Sequence, residues 1–275
     1  KRCIITNLFK SIPMRNVLVT GSGGQLGKTI NELFSKNEDK LDFTFVSKED
    51  LDITKKTALK RFFKNNKFDY CINCAAYTNV DQAEKTPEIA YKVNAEGVKY
   101  LAKSCKDANV VLIHISTDYV FDGEKKEPYT INDLPNPINE YGKSKLLGEQ
   151  FVQEIMDRYF IIRTSWLCSK KHGHNFYRTI INSAKTKAEL SVTVDQMSCP
   201  TNTVSLTKYL MKLINGDSLD YGIHHFSDKL VMTWYDFAES ILLENNLNAK
   251  INLVKANNYV NFAKRPKYSV LLNEM

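Results

Sequence analysis

The chain has 275 residues, of which 43% are hydrophobic and 25% are charged, a balance typical of a folded globular protein. It contains no run of eighteen consecutive apolar residues, so no membrane-spanning helix is predicted. The formal net charge of +7 suits polyanionic ligands, but the lysines are dispersed and lack an accompanying RNA-binding motif, so nucleic-acid binding is not expected.

Residues 1–13 are predicted to be an extension ahead of the first folded element, which begins at Met14. The extension starts with basic residues but lacks the apolar region and the cleavage site of a signal peptide. Six cysteines are scattered through mostly apolar segments, as is usual for buried thiols in a reducing compartment. The cytoplasm is therefore the predicted location.

A glycine-rich turn, VLVTGSGGQLGKTI at 17–30, follows the first apolar run. Gly21, Gly24 and Gly27 stand between a predicted strand and a predicted helix, where the pyrophosphate of a dinucleotide binds to free helix N–H groups. Glycine permits a positive φ and a close approach of the backbone to the phosphates. The pattern predicts dinucleotide binding, and the alternative is a glycine turn without a ligand.

The end of the second predicted strand bears on the choice of cofactor. An acidic residue about twenty positions after the turn would bind the ribose 2′-hydroxyl of NADH. Ser47 and Lys48 stand there instead, which favours the 2′-phosphate of NADPH. Glu49 and Asp50 follow directly and would oppose that preference, so NADH stays an alternative.

Up to about residue 165, short β-branched apolar runs alternate with amphipathic stretches. The strands are predicted at 16–20, 43–47, 70–75, 110–117 and 159–165, and the helices at 25–35, 55–65, 87–107 and 140–156. This alternation predicts an α/β fold with a Rossmann-like, doubly wound parallel sheet and helices on both faces.

After residue 165 the rhythm loosens, and helices are predicted at 175–185, 204–215 and 233–244 between short strands. We therefore assign 14–168 to a dinucleotide-binding domain. Part of 200–226 is expected to pack back on it. Residues 169–275 are assigned mainly to a smaller C-terminal α/β substrate-binding part, and a cleft is expected between the two parts.

Two patterns have the residue types of metal or redox sites. Cys71 and Cys74 form a CxxC motif, but they lie in a strand-like segment and no helix begins on the second cysteine. His172 and His174, in KKHGHN, have no further ligand at a suitable spacing, and a flexible loop is predicted there. No metal site is predicted.

Tyr141 and Lys145 stand four positions apart in EYGKSKLLGE, within a predicted helix. Positions i and i+4 share one helix face, so the ammonium would favour the ionised phenol and lower its pKa. On its own, this spacing is more often that of a solvated surface pair.

Four segments, NCAAYTNVDQAE, VNAEGVKYLA, HISTDYVFDG and NEYGKSKLLGE, follow one another in an order that resembles the extended short-chain dehydrogenase/reductases. Within that group the chain is most similar to the dTDP-4-dehydrorhamnose reductase family, because RTSW, DQMSCPT and RPKYSVL also stand where that family has its signatures. The resemblance covers nearly everything from Met14 to the end.

The resemblance implies an NADPH-dependent reductase, with NADH as an alternative cofactor, that acts on the C4 ketone of a dTDP-linked 6-deoxy sugar. It implies that Thr117 bonds the substrate carbonyl and that Tyr141 donates the proton. Lys145 would bind the nicotinamide ribose and hold the pKa of Tyr141 down toward neutrality. Asn94 would order backbone and water behind the lysine, and its alternative role is that of a helix-interior asparagine that bonds locally.

The resemblance also implies two sets of binding residues. The cofactor-binding set is Gly21, Gly24, Gln25, Leu26, Gly27, Ser47, Lys48, Asp52, Ile53, Ala75, Ala76, Tyr141 and Lys145. The sugar-binding set is Thr78, Val80, Asp118, Tyr119 and Trp166. A homodimer and a Mg²⁺ ion are left open.

Three departures from the family pattern leave the identity of the substrate open. Ser198 replaces a common glycine, Cys168 replaces a common tyrosine, and the family normally continues beyond RPKYSVLLNEM. One alternative is a different nucleotide-sugar 4-ketoreductase. Another is a non-catalytic NADP-binding regulatory subunit of the methionine adenosyltransferase type, since a fold alone does not decide function.

Overall fold

The computed structural model describes residues 14–35, 41–256 and 261–273, so the predicted extension at 1–13 lies outside the described residues. The strands are β1 (Arg15–Thr20), β2 (Leu41–Val46), β3 (Tyr70–Asn73), β4 (Val111–Thr117), β5 (Tyr159–Thr164), β6 (Leu167–Cys168), β7 (Glu189–Thr193), β8 (Met197–Ser198), β9 (Thr201–Asn202), β10 (Gly222–His225), β11 (Met232–Thr233) and β12 (Asn252–Ala256). The helices are α1 (Gln25–Phe34), α2 (Lys56–Asn65), α3 (Val80–Lys85), α4 (Pro87–Tyr91), α5 (Val98–Asp107), α6 (Glu140–Ile155), α7 (Phe176–Ser183), α8 (Thr203–Asn215) and α9 (Trp234–Glu244).

The central sheet has six strands in the order β2-β1-β3-β4-β5-β10, and every neighbouring pair is parallel. The strand order reverses between β1 and β3, which opens a crevice at the carboxyl ends of these strands. Ligands of doubly wound sheets bind at such a switch point. The predicted Rossmann-like α/β fold is confirmed.

Helices cover both faces of this sheet. Leu26 and Ile30 of α1 pack with Leu206 and Leu210 of α8 on one face. On the other face, α2, α5 and α6 supply the core residues Leu59, Leu101 and Val152. A separate core joins α7 and α9 to the parallel pair β7 and β12. Thus α8 and β10 belong to the main sheet layer, although they follow it in the sequence.

The predicted helix at 87–107 contains a π-helical turn at Lys92–Gly97, between α4 and α5. Such turns often lie at functional sites. Asn94, in this turn, is fully buried and reaches the segment after β3, where its side chain accepts from Tyr77 N at 2.8 Å and donates to Tyr77 O at 2.9 Å. The periodicity of the sequence did not predict this π-helical turn. The turn depends on the contact between Asn94 and Tyr77, which lie in different segments of the fold.

Helix α6 approaches its neighbours at backbone distance. A Cβ at Gly148 would lie 2.1 Å from Asn94 O, and one at Gly142 would lie 2.2 Å from Tyr119 O, so only glycine fits at either position. The Asn139 side chain caps the helix by accepting from Gly142 N at 2.7 Å. These contacts fix the first turns of α6 over the carboxyl end of β4.

A buried ion pair joins α6 to β5. Arg163 Nη2 lies 2.7 Å from Glu149 Oε2, and the two side chains are 2% and 0% exposed. Arg163 Nε donates to the same carboxylate, and Ser116 Oγ of β4 donates to it as well. The Arg163 guanidinium also lies over the Phe121 ring, 5.2 Å from its centre. The pair therefore couples helix, sheet and the turn after β4.

The described cysteines, at 71, 74, 105, 168 and 199, are free thiols. Cys71 lies inside β3, and burial raises its pKa well above the ordinary value, so it remains a protonated core residue. Within the described ranges, no helix combines the length and the apolar character that a membrane crossing requires.

We predict that Glu149→Gln lowers the free energy of unfolding by about 3–5 kcal/mol, because it leaves the Arg163 charge buried without its partner. The control is Lys143→Ala, which breaks the exposed Lys143–Glu140 pair and should cost less than about 1 kcal/mol. Chemical denaturation of both variants measures the difference. Equal free energies of unfolding for the two variants would show that the charge of Glu149 contributes no more to stability than an exposed ion pair does.

Candidate active site

The glycine turn between β1 and α1 is built for close backbone approach. Gly21 has φ +66°, and a Cβ there would lie 2.5 Å from Ala75 N. A Cβ at Gly27 would lie 2.6 Å from Ser22 Cα. The N-cap residue of α1 is Gly24, and no described side chain caps it. The first N–H groups of α1 are thereby left to an anion, and the residues present fit a dinucleotide pyrophosphate.

Two cavities adjoin this turn and share Gly24 and Ala76. The smaller, of about 360 Å³, is lined by the predicted residues Gly21, Ser47, Lys48, Asp52, Ile53 and Ala75. The larger, of about 600 Å³, is lined by the predicted residues Gln25, Leu26, Gly27, Thr117, Tyr141 and Lys145. The predicted sugar-binding residues Thr78, Val80, Asp118, Tyr119 and Trp166 line the larger cavity too. Thr117 and all residues of the two predicted binding sets therefore line one or both cavities, whereas Asn94 lines neither.

The loop after β2 presents both signs of charge to the smaller cavity. Ser47 N donates to Asp50 Oδ2 at 2.8 Å, so the Asp50 carboxylate is bound to backbone. A hydrogen bond from the Ser47 side chain lowers the pKa of Glu49, which keeps that carboxylate ionised. Lys48 and Glu49 both line the cavity. Of the two opposing carboxylates that the sequence presented, only that of Glu49 lines the cavity with Lys48.

Thr117 and Tyr141 both line the larger cavity at the carboxyl end of β4. The Tyr141 ring packs edge-on against Tyr119, with ring centres 5.7 Å apart. Burial raises the pKa of Tyr141 above its ordinary value, and the hydrogen bond with Thr117 acts in the opposite direction. The phenol is therefore protonated at neutral pH and available as a proton donor.

Lys145 is 2% exposed, and no described hydrogen bond joins it to the Tyr141 phenol. Its Nζ donates to Ile115 O at 2.7 Å and lies 3.5 Å from His114 Nε2. Burial lowers the pKa of Lys145 to about 8, against the charge of Glu149, which raises it. Burial also holds the pKa of His114 well below its ordinary value, so this imidazole is neutral.

The expectation that Lys145 lowers the pKa of Tyr141 was wrong for this structure. The two side chains share one helix face, as the spacing predicted, but the ammonium is turned to a sheet carbonyl. Desolvation then dominates the phenol, and the lowering hydrogen bond comes from Thr117. Helix periodicity places a Cα and a Cβ, whereas the position of a lysine ammonium depends on the acceptors around it.

Asn94 connects three segments of the chain. Besides its two bonds to Tyr77, its Nδ2 donates to Ser144 Oγ of α6 at 3.0 Å. It therefore holds the segment after β3, which carries Ala76 and Thr78, against α6. Its described side-chain bonds all reach other elements, so the alternative of an asparagine that bonds locally within its own helix is wrong.

The KKHGHN loop contributes to the site, which sequence reasoning missed. Gly173, with φ +68°, would place a Cβ 2.8 Å from Gln25 Cβ, and Asn175 Nδ2 donates to Gln25 Oε1 at 3.1 Å. The loop, for which the sequence predicted flexibility, therefore contacts α1 through these residues. Gly173 and His174 line the larger cavity. The isolated glycine ahead of a helix-capping asparagine was the available signal.

Trp234 is a second residue that the sequence did not indicate. It begins α9 after a capping box formed by Thr233 and Asp236, and it lines the larger cavity. Its ring stacks on Trp166 with centres 3.5 Å apart and an angle of 9°. Its Nε1 donates to Gln196 Oε1 at 3.0 Å. The two indoles form one aromatic wall of the cavity.

Ser198 and Cys168, which depart from the family pattern, are both buried. Burial raises the pKa of the Cys168 thiol to about 12, so the thiol stays protonated at neutral pH. Ser198 Oγ donates to Ser269 O at 3.0 Å. Across the described part of the chain, no group of three or more His, Cys, Asp or Glu residues is arranged to hold a metal ion.

Comparison with known proteins gives consistent matches along the chain. The family model of the RmlD substrate binding domain matches residues 14–275. A dTDP-4-dehydrorhamnose reductase of Aggregatibacter actinomycetemcomitans is 37% identical over 94% of this chain and 90% of its own length. A dTDP-4-keto-6-deoxy-D-glucose reductase of Streptomyces niveus is 33% identical over 92% of this chain and 87% of its own length.

Among solved structures, the dTDP-4-dehydrorhamnose reductase of Bacillus anthracis, crystallised in complex with NADP, superposes with a TM-score of 0.90 and is 39% identical. The match covers 95% of this chain and 91% of the other. These matches extend over the glycine turn, the end of β4 and α6, the elements that build the two cavities. The chain therefore belongs to the dTDP-4-dehydrorhamnose reductase family of extended short-chain dehydrogenase/reductases.

Proposed function

We propose that the protein reduces the C4 ketone of dTDP-4-dehydro-L-rhamnose to give dTDP-L-rhamnose, with NADPH as the reductant. The observation that carries this proposal is that Thr117, Tyr141 and Lys145 line one cavity together with the first residues of α1, whose N-terminus has no side-chain cap. Sugar-nucleotide ketoreduction is also the activity named for the family members at 37% and 39% identity.

Bound NADPH would supply the hydride. In this chain, the N–H groups of α1 and the glycine turn would bind the pyrophosphate, and Lys145 would bind the nicotinamide ribose. Lys48 and Ser47 would bind the 2′-phosphate in the smaller cavity, where Glu49 opposes them in part. Asp52 and Ile53 would line the adenosine side of the same cavity.

The proton comes from the protein. Tyr141 donates it to the carbonyl oxygen as negative charge develops there, and Thr117 hydrogen-bonds the same oxygen. The raised pKa of Tyr141 keeps the donor protonated over the physiological range. Lys145, whose pKa is about 8, is mostly charged at pH 7 and stabilises the oxyanion electrostatically. As pH rises through about 8, that contribution is lost.

The sugar and its nucleotide would occupy the outer part of the larger cavity. Thr78, Val80, Asp118, Tyr119 and Trp166 form its walls, and the stacked pair Trp166–Trp234 gives it a flat aromatic surface. Such a surface suits the apolar face of a sugar ring. The presence of Thr117, Tyr141 and Lys145 in the lining of one cavity supports catalysis over a purely regulatory, cofactor-binding role.

A second substrate is favoured by one relative. The Streptomyces niveus protein, at 33% identity, is named for dTDP-4-keto-6-deoxy-D-glucose, which differs in configuration from the rhamnose precursor. Both ketosugars would be offered to the protein with NADPH, and NMR of the product would assign the new stereocentre. A higher kcat/KM for the gluco substrate would replace the rhamnose proposal while leaving the reductase chemistry unchanged.

We predict that the purified protein oxidises NADPH in the presence of dTDP-4-dehydro-L-rhamnose and that Tyr141→Phe lowers kcat by about 10²–10⁴-fold, because it removes the proton donor. The affinity for NADPH should change little. The matched control is Tyr91→Phe, which removes a hydroxyl bonded to Glu140 outside the cavity and should retain parental kcat. Absence of NADPH oxidation with either ketosugar would overturn the proposed function.

We predict that Lys48→Ala weakens NADPH binding about tenfold and changes NADH binding less than about twofold, because only NADPH carries the phosphate that the ammonium would contact. Fluorescence titration of each cofactor gives the two dissociation constants. Lys67→Ala, which removes an exposed lysine outside both cavities, is the charge control. If Lys48→Ala weakened the binding of NADPH and of NADH equally, Lys48 would not be a ligand of the 2′-phosphate.

A further inference from the structure

Trp166 has an unusual backbone conformation at the point where the chain leaves the central sheet. It lies between β5 and β6, and its φ is +43°, in the left-handed region that bulky side chains rarely occupy. Glycine would adopt this conformation without strain. The residue is nevertheless a tryptophan, and it lines the larger cavity. A strained residue in the wall of a ligand cavity indicates a functional constraint on its position.

The backbone around Trp166 is held by bonds to other segments. Thr201 N donates to Trp166 O at 3.3 Å, and Leu167, the next residue, pairs with Thr201 between β6 and β9. Gln25 Nε2 of α1 donates to Leu167 O at 3.0 Å. A left-handed bulky residue persists only where its surroundings determine it in this way. These bonds fix the direction in which the Trp166 side chain leaves the main chain.

The ring of Trp166 is held by a second tryptophan, Trp234. The ring centres are 3.5 Å apart and the planes differ by 9°, so the indoles are stacked face to face. At this separation no further group fits between the two rings. Trp166 can therefore offer a ligand only its opposite face and its edges. The stack determines which surface of Trp166 is available to the cavity.

Trp234 is fixed in turn by the C-terminal core. Its Nε1 donates to Oε1 of Gln196, a buried side chain, at 3.0 Å. The Phe176 ring of α7 packs beside it, with ring centres 4.4 Å apart. The capping box of Thr233 and Asp236 holds the start of α9, at which Trp234 is the first residue. The rigidity of this core is thereby transmitted to the aromatic wall of the cavity.

We propose that Trp234 is a positioning residue for the sugar nucleotide, which acts by fixing Trp166 with one ring face toward the ligand. This inference rests on the proposed ketone reduction. A ligand that meets a mobile side chain must order that side chain as it binds, which lowers its affinity. A ring that is already held on the C-terminal core avoids this cost. Trp234 therefore acts on binding of the ketosugar and much less on the transfer of hydride and proton.

Two substitutions of Trp234 separate the flat ring from mere apolar bulk. Trp234→Leu removes the stacking face, and Trp234→Phe retains one. We expect Trp234→Leu to raise KM for dTDP-4-dehydro-L-rhamnose about tenfold and to lower kcat less than about threefold, because Trp166 is then free to reorient. Trp234→Phe should bring KM back to within about threefold of the parental value. Parental KM in Trp234→Leu would overturn the proposal.

Phe237→Leu is the matched control for stability. Phe237 is a buried residue of the same core and is not among the described residues that line the larger cavity. Its replacement should lower the free energy of unfolding and leave KM at the parental value, and chemical denaturation of each variant measures that loss. If Phe237→Leu raised KM as much as Trp234→Leu does, the role of Trp234 would be structural and the proposal would be overturned.

A double-mutant cycle distinguishes action through Trp166 from a direct contact of Trp234 with the ligand. Trp166→Leu should raise KM by itself, and adding Trp234→Leu should raise it further by less than about twofold, because the ring that Trp234 positions is then absent. If the two effects on KM multiplied independently, Trp234 would be a ligand contact in its own right. That result would overturn its role as a positioning residue.

The fluorescence of the indoles gives a readout that needs no turnover. The chain contains two tryptophans, and both belong to this pair. Titration of the parental protein with dTDP-L-rhamnose, in the presence of NADP⁺, should change the indole emission, and Trp234→Leu should weaken the association about tenfold. A parent that shows this change but reduces neither ketosugar would refute the proposed function and leave the role of Trp234 in place. Unchanged emission of the parent would overturn that role, even in an active reductase.

Discussion

The close contact of α6 with the two turns that flank it is the constraint on which the rest of the site depends. At Gly142 and Gly148 there is no room for a Cβ, so the helix meets the carbonyls of Tyr119 and Asn94 directly. This contact sets the height of Tyr141 above the end of β4. The same helix, two turns further along, carries the carboxylate that pairs with the buried guanidinium of β5. One helix thereby links the reacting groups to a buried ion pair in the sheet.

Burial, more than any single charge, controls the protonation of this site. It raises the pKa of Tyr141 and of Asp118, and it lowers that of Lys145 and of His114. Each group is thus driven toward its neutral form, and the local hydrogen bonds correct that tendency only in part.

Sequence reasoning reached five of the six strands of the central sheet, the longer helices and most residues that line the two cavities. These follow from local periodicity, the glycine turn and a long ordered series of motifs. It did not reach the π turn at 92–97, since Asn94 bonds to Tyr77 across the fold. It also misjudged the ammonium of Lys145, whose acceptor is a carbonyl on another element. Trp234 and the loop at Gly173 were missed for the same reason, because their role depends on which surfaces meet.

The contact of Gly173 with Gln25 has a mechanical consequence. Gln25 is the first residue of α1, the helix whose N-terminus lacks a side-chain cap, and Gly173 belongs to the segment that leads into the C-terminal core. With no space for a side chain between them, a displacement of either one is transmitted to the other. Occupation of the dinucleotide cleft therefore biases the geometry of the opposite wall, and the two ligands are expected to associate in a thermodynamically linked manner.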